Sequence, residues 1–257
     1  MVPWAVAFRL SPLAGATLVA LAGAAAPVWP ESPSGLEGEF TVEVASRYLW
    51  RGLVLTDGTV LQGDATVSLG GWSLGCWGNV DTTAVNERGG ERYRLQELDV
   101  TLGYQHTLSD AWSLGGGVTR YTFPGTADDA TTEVFLTGSW LGPFQPSCAV
   151  HRDLDAAQGW YVNGSLGHDL RLAERLGLHL GAGVGWGSGR HNRFYYHDAA
   201  GAGAADLLLS ATLRWELATG GALAVALQRT WLLDEGRSAV PGDRSAASVG
   251  VRWTWSF

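Results

Sequence analysis

The final ten residues of the chain alternate in character: Val249, Val251, Trp253, Trp255 and Phe257 fall on one side, Ser248, Gly250, Arg252, Thr254 and Ser256 on the other. Successive strand residues point to opposite faces, so this segment reads as a ribbon with one apolar and one polar wall. The rhythm recurs along the chain. It predicts about twelve strands, over 39–51, 59–70, 72–82, 92–107, 111–122, 131–141, 145–154, 158–171, 175–188, 205–217, 221–233 and 246–257, each long enough to serve as a barrel strand. In the clearest, Leu176, Leu178, Leu180, Ala182, Val184 and Trp186 interleave with Gly177, His179, Gly181, Gly183, Gly185 and Gly187.

The connections sort by length. Tight ones fall at 70–71, 108–111, 141–144, 172–174 and 218–221; longer, polar or glycine-rich ones at 52–58, 83–91, 124–130, 155–157, 189–204 and 234–245. Short and long alternate throughout. A soluble β-sandwich also has regularly spaced turns but no reason to sort them, whereas bacterial outer-membrane barrels carry short periplasmic turns and longer outside loops. The expected fold is therefore all-β: a closed, antiparallel, up-and-down transmembrane β-barrel over 39–257, with an even strand count and periplasmic termini. Tryptophans give an independent indication. Trp72, Trp112, Trp140, Trp215 and Trp255 face outward near the short turns, and Trp50, Trp160, Trp186 and Trp231 near the long loops, as two interfacial girdles would. Phe135, Leu49 and Leu208 fall on the inner face, and Arg229 on the outer one, where its stem is expected to snorkel.

Composition fits this architecture. Mean hydropathy is only +0.03, yet there are 13 Trp and 36 Gly and only 16% of residues are charged. A membrane protein without long apolar segments has one option, a closed barrel that hides its apolar wall in alternation. At the N-terminus, one positive charge, a small apolar run and the tripeptide Ala22-Gly23-Ala24 read as a signal peptide over 1–26, followed by a short periplasmic lead over 27–38. The apolar run is shorter than the roughly 20 residues of a spanning helix. The formal charge of −8 argues against nucleic acid as a partner. Cys76 and Cys148 are expected on non-adjacent strands, facing outward, as free thiols.

A more specific signal lies in Ser46-Arg47-Tyr48-Leu49-Trp50-Arg51-Gly52, then Thr56-Asp57-Gly58, Leu61-Gln62 and Trp77-Gly78-Asn79-Val80-Asp81. These blocks resemble the opening of the TorF-like porin family of Gram-negative outer-membrane β-barrel proteins. Glu97-Leu98-Asp99, Gly103-Tyr104, Tyr121-Thr122-Phe123-Pro124-Gly125 and Glu133-Val134 are similar to its next blocks, so the likeness covers about residues 40–136. The terminal aromatic strand ending at Phe257 likewise resembles the signal read by the barrel-assembly machinery. The resemblance implies a cell outer-membrane barrel with a pore, in contact with outer-membrane lipid and lipopolysaccharide. It carries no ligand-binding residues.

Function would then reside on the inner wall. Strand phase directs Glu43, Arg47, Arg51, Asp64, Asp81, Glu97, Asp99, Glu133, His151, Asp153, Asp169, His179, Asp206, Arg214, Glu216 and Arg252 inward. Strand direction puts Arg47, Arg51, Asp64, Asp81, Glu97, Asp99, Glu133 and Asp153 in the outer half as candidate pore-lining residues, an acidic wall meeting two arginines. In an open lumen this arrangement favours cations. The competing reading is a salt-bridge network that merely houses charges inside the barrel and closes it. Inner glycines such as Gly103, Gly117, Gly181 and Gly183 leave volume unfilled, which favours a narrow water-filled pore. The expected function is passive diffusion of small hydrophilic solutes with weak cation preference; a closed structural or adhesive barrel is the alternative. Catalysis is not expected: there is no His-x-Ser pair on an outward strand, and His151 with Asp153 is the nearest acid-base candidate. No cofactor is implied. His191, His197 and Asp198 could ligate a metal, but a solvated or pore-covering loop is the preferred reading of 189–204.

Overall fold

A computed structural model describes residues 35–83, 92–124, 126, 128–196, 201–218, 220–233 and 244–257. The signal-peptide expectation lies outside the described residues, as do His197 and Asp198. Twelve strands close into one barrel: β1 (Leu36–Ala45), β4 (Val60–Leu69), β5 (Trp72–Asp81), β6 (Arg94–Thr107), β7 (Trp112–Thr122), β8 (Thr131–Trp140), β9 (Ser147–Asp153), β10 (Trp160–Ala173), β11 (Leu176–Gly187), β12 (Gly203–Glu216), β13 (Gly221–Leu232) and β14 (Ser245–Ser256). Every neighbouring pair is antiparallel. The ring closes where β1 meets β14, in register from Glu39↔Ser256 to Ala45↔Gly250.

Local chemistry explains the staves. Between β4 and β5, Gly70 and Gly71 take φ of +57° and +88°, the mirror-image turn that a right-twisted hairpin needs and that glycine adopts without steric cost. In β6 one extra residue, Gln96, interrupts the register, since Asn79 pairs with Glu97 but Val80 with Leu95. The alternation read from the sequence matches the two faces. Leu102, Val184, Leu209 and Val251 are exposed on the outer wall, and Thr101, Thr119, Glu133, Thr212 and Arg252 are buried inside. Trp72, Trp112, Trp215 and Trp255 are exposed at the short-turn end, Trp160 and Trp186 at the other. Arg229 faces outward with its guanidinium 5.2 Å from the Trp231 ring. Cys76 and Cys148 are free and exposed.

The structure differs from the reading of the sequence in two places. The first strand does not run to Arg51. It ends at Ala45, and the chain then folds back as a separate hairpin, β2 (Tyr48–Trp50) and β3 (Leu53–Thr56), which pair with each other and not with the barrel. Trp50 accordingly belongs to no outer girdle; it packs against the buried cluster Ala45, Tyr48, Val60 and Trp77. The reason is that period-two alternation is a property of any strand, and a hairpin turned inward keeps the rhythm of the stave before it. The second difference is a helix, α1 (Gly189–Tyr196), within the segment read from sequence as a solvated or pore-covering loop. Ser188 starts it: its carbonyl accepts from Asn192 N at 2.9 Å, while its hydroxyl accepts from Trp160 N at 2.9 Å and ties the helix start to β10.

The face assignment has a direct consequence. Val251→Arg, on the outer wall near mid-height, should destabilise the barrel in lipid by about 2 to 4 kcal/mol. Gly183→Arg should cost less, because a Cβ there meets nothing closer than Asn163 Nδ2 at 3.5 Å. Urea unfolding from vesicles distinguishes the two, and equal losses would mean the phase is wrong.

Candidate functional site in the barrel lumen

The hairpin between β1 and β4 turns into the barrel. Its tip is the pair Arg51 and Gly52, with φ of +44° and +83°, and from that turn the Arg51 side chain reaches the opposite wall. Nη1 donates to Glu133 Oε1 at 2.9 Å and Nη2 to Oε2 at 2.7 Å. The guanidinium lies 4.2 Å from the ring centre of Tyr161 and 4.4 Å from that of Trp50. Both partners are dry, with the Arg51 side chain 7% exposed and that of Glu133 2%. Two charges can be held away from water only when paired with good geometry and when the remaining lone pairs are met. Glu133 meets this condition: its Oε2 also accepts from Tyr121 Oη at 3.2 Å and lies 3.5 Å from His151 Nδ1. Tyr161 is fixed in turn by donating to Asp206 Oδ1 at 2.9 Å.

From the other side α1 clamps the tip. Tyr196 Oη donates to the Arg51 carbonyl at 2.8 Å, and Tyr195 stacks edge-on against Trp50 with ring centres 4.8 Å apart. Burial raises the Tyr195 phenol above its ordinary value, so α1 brings a neutral ring to this contact. Tyr161, Tyr196 and Ala205 form a buried cluster with Leu53, Tyr195 and Leu232 packed on it. The long-loop half of the lumen is thus filled by two inward-folded segments, the hairpin and α1. What remains under the tip is a cavity of about 70 Å³ bordered by Tyr48, Trp77, Asp99, Tyr121 and His151, room for a few water molecules. The lower half differs. Its small residues, Gly181, Gly183 and Ser165, remain partly accessible, and two pairs of its charged groups are matched locally, Glu43 with Arg252 at 2.8 Å and Asp169 with His179 at 2.8 Å.

The eight residues expected to line a pore separate into three groups. Arg51, Glu97, Asp99 and Glu133 are buried in the long-loop half of the lumen, and Asp99 Oδ1 has no hydrogen-bond partner among the described residues. Asp81 and Asp153 hold loops. Asp81 accepts from Thr83 N, Thr83 Oγ1 and Gln96 Nε2; Asp153 accepts from Thr131 Oγ1 and from the backbone of residues 155, 157 and 158. Arg47 and Asp64 stand apart: Arg47 sits half-exposed at the rim, bonded to Asp57 and to the Ala247 carbonyl, while Asp64 accepts from Thr66 Oγ1 at 3.3 Å, away from the tip. Arg47 therefore does not share a constriction with Arg51, because the two lie at the base and tip of a hairpin rather than on one stave. Counting formal charges passed over Tyr121, Tyr161 and Tyr196. The first two were legible, since strand phase directs both inward; Tyr196 was not, because α1 was not anticipated. Among the described residues no three metal-ligating side chains converge.

Fold and lumen together define a closed, twelve-stranded antiparallel β-barrel with a polar interior. The chain belongs to the Gcw_chp family, described as bacterial proteins of unknown function, whose model matches residues 30–207; that description carries neither an activity nor a TorF-like label. No curated protein matches the chain. Among solved structures it is similar to a KdgM porin, at 10% identity and TM-score 0.54 over 85% of this chain and 99% of that one. It is also similar to an outer membrane channel from Pseudomonas putida F1, at 12% identity and TM-score 0.54 over 86% of this chain and 95% of that one. At these identities the likeness is one of fold.

The hairpin tip makes a test of its own docking. A Cβ on Gly52 would lie 2.7 Å from both Asp206 Cβ and Leu232 Cδ2, at a φ that disfavours any side chain. Gly52→Ala should loosen the tip and let trypsin cut after Arg51, which the native fold shields. Mass spectrometry of the digest reads this directly; an uncut variant would mean the tip stays seated.

Proposed function

We propose that this protein is an outer-membrane diffusion channel of porin type for small hydrophilic solutes, with weak cation preference, its termini and short turns facing the periplasm. The observation that carries this reading is the contrast between the two walls: an apolar outer face with exposed tryptophans at both ends, and an inner face of polar and small residues, several of them partly accessible. A barrel so built satisfies its backbone internally, and a polar interior of this kind suits a wetted lumen. The similarity to a porin and to an outer membrane channel supports the same reading. The TorF-like resemblance, limited to about residues 40–136, points the same way. Outer-membrane lipid and lipopolysaccharide are the surroundings such a wall fits, and the strand ending at Phe257 is the segment the assembly machinery would engage.

The cation preference follows from charge. Among the described residues, Glu97, Asp99 and Glu133 are buried in the outer half beside one buried guanidinium, that of Arg51, and a confined, poorly screened space magnifies that imbalance. Replacing Glu97 by Gln and Asp99 by Asn together should lower the cation-to-anion permeability ratio, read as a shift of the reversal potential under a salt gradient in planar bilayers. Anion preference untouched by this pair would overturn the charge assignment. A wild-type protein that conducts nothing, alone and after the hairpin is released, would favour a closed structural barrel.

A further inference from the structure

We propose that the wall around Glu133 is a recognition site for guanidinium-type cations, which Arg51 occupies as a tethered ligand, so that a free guanidinium compound competes with the tip and releases the hairpin. The gating half of this inference rests on the channel reading above; the binding half does not.

The site is built by the barrel and not by the hairpin. Tyr121, Glu133, His151, Tyr161 and Asp206 come from β7, β8, β9, β10 and β12, staves whose pairing is complete without the inserted segment. The partners of Glu133 besides Arg51, Tyr121 and His151, both come from the staves, as does Asp206, which orients the Tyr161 ring. A carboxylate offering both oxygens beside an aromatic face is complementary to a planar, forked cation. A spherical or tetrahedral cation can use the charge but neither the fork nor the flat stacking surface. Arg51 uses both, at 2.7 and 2.9 Å to the two oxygens and 4.2 Å to the Tyr161 ring.

The tether is separable from the wall. β1 pairs with β4 from Leu36↔Leu69 to Ala45↔Val60, so the barrel is continuous beneath the inserted residues, and β2 and β3 add no strand to it. The hairpin is held by Arg51 on Glu133, Tyr196 on the Arg51 carbonyl, Tyr48 tilted against Trp77 with ring centres 5.4 Å apart, Thr56 on Gln96, and at its base Arg47 on Ser248 and the Ala247 carbonyl. Lifting the tip breaks none of the backbone ladder bonds between staves. A short tether presents its ligand at an effective concentration on the order of millimolar, so free guanidinium at tens of millimolar is a fair competitor.

Three forms of the full chain decide the matter: wild type, Arg51→Ala, and Arg51→Ala combined with Glu133→Gln, each checked for folding by heat-modifiable migration. Calorimetry with guanidinium chloride, against sodium and ammonium chloride, should give saturable binding to Arg51→Ala that is specific for guanidinium and lost in the double variant. In planar bilayers, guanidinium should raise the open occupancy of wild type, while Arg51→Ala should already be open about ten-fold more often and respond no further. If Arg51→Ala does not fold, Arg51→Lys serves, since an ammonium lacks the fork and should likewise open the channel. Binding that persists without Glu133, or that sodium matches, overturns the site. Saturable guanidinium binding in a protein that never conducts supports the site and overturns the channel reading. Conductance without such binding does the reverse.

Discussion

Gly38 and Phe257 exchange both of their backbone hydrogen bonds, at 2.8 and 2.9 Å, and with that pair a sheet of twelve strands loses its last edge. Phe257 lays its ring over Gly38, where any side chain would collide with it. Closure of β1 on β14 is the constraint from which the rest follows. A ring of strands has an inside and an outside and nothing else, so each stave must present one kind of side chain to each. It also encloses a fixed volume that must be filled, wetted or crossed. A sheet left open would instead expose a row of unpaired amides and carbonyls to whatever surrounds it.

The enclosed volume is resolved differently at the two ends. β11 lines the wall with Gly177, Gly181, Gly183, Gly185 and Gly187, and small residues leave space. Toward the long-loop end that space is taken by the hairpin and by α1. Gly187 shows how closely: a Cβ there would run into Asn192 of α1, while one on Gly185 would run into Tyr161 and Asp206 of the neighbouring staves. Gly187 therefore receives the plug and Gly185 the side chains beneath it, while at Gly183, lower on the same stave, a Cβ would meet nothing closer than 3.5 Å. One composition serves two purposes according to height in the barrel.

The energetics of the plug rest on one buried ion pair. Burying a guanidinium and a carboxylate costs several kcal/mol for each ion, and their mutual attraction repays this only with bidentate geometry and satisfied neighbours. The Arg51–Glu133 contact has both, so the pair fixes where the hairpin sits more than it adds to barrel stability. That is the physical basis for separating the wall, which is continuous without the hairpin, from the segment lodged in it.

Much of this was legible in the residue order. Alternation alone located twelve staves, assigned Val184 and Val251 outward and Glu133 and Arg252 inward, and ordered the turns by length, because strand geometry ties face to parity and a hairpin turn to its glycines. It could not show that the first stave stops at Ala45, since Tyr48 to Trp50 continue the same rhythm while running the opposite way into the lumen. Nor could it distinguish acids that hold loops, Asp81 and Asp153, from Asp99, which borders the cavity, because parity records which wall a side chain joins and not what it meets there. The partnership of Arg51 with Glu133 belongs to the tertiary structure alone. Eighty-two positions separate the two in sequence, and only the curvature of a closed ring, together with a turn at Arg51 and Gly52, carries one across to the other.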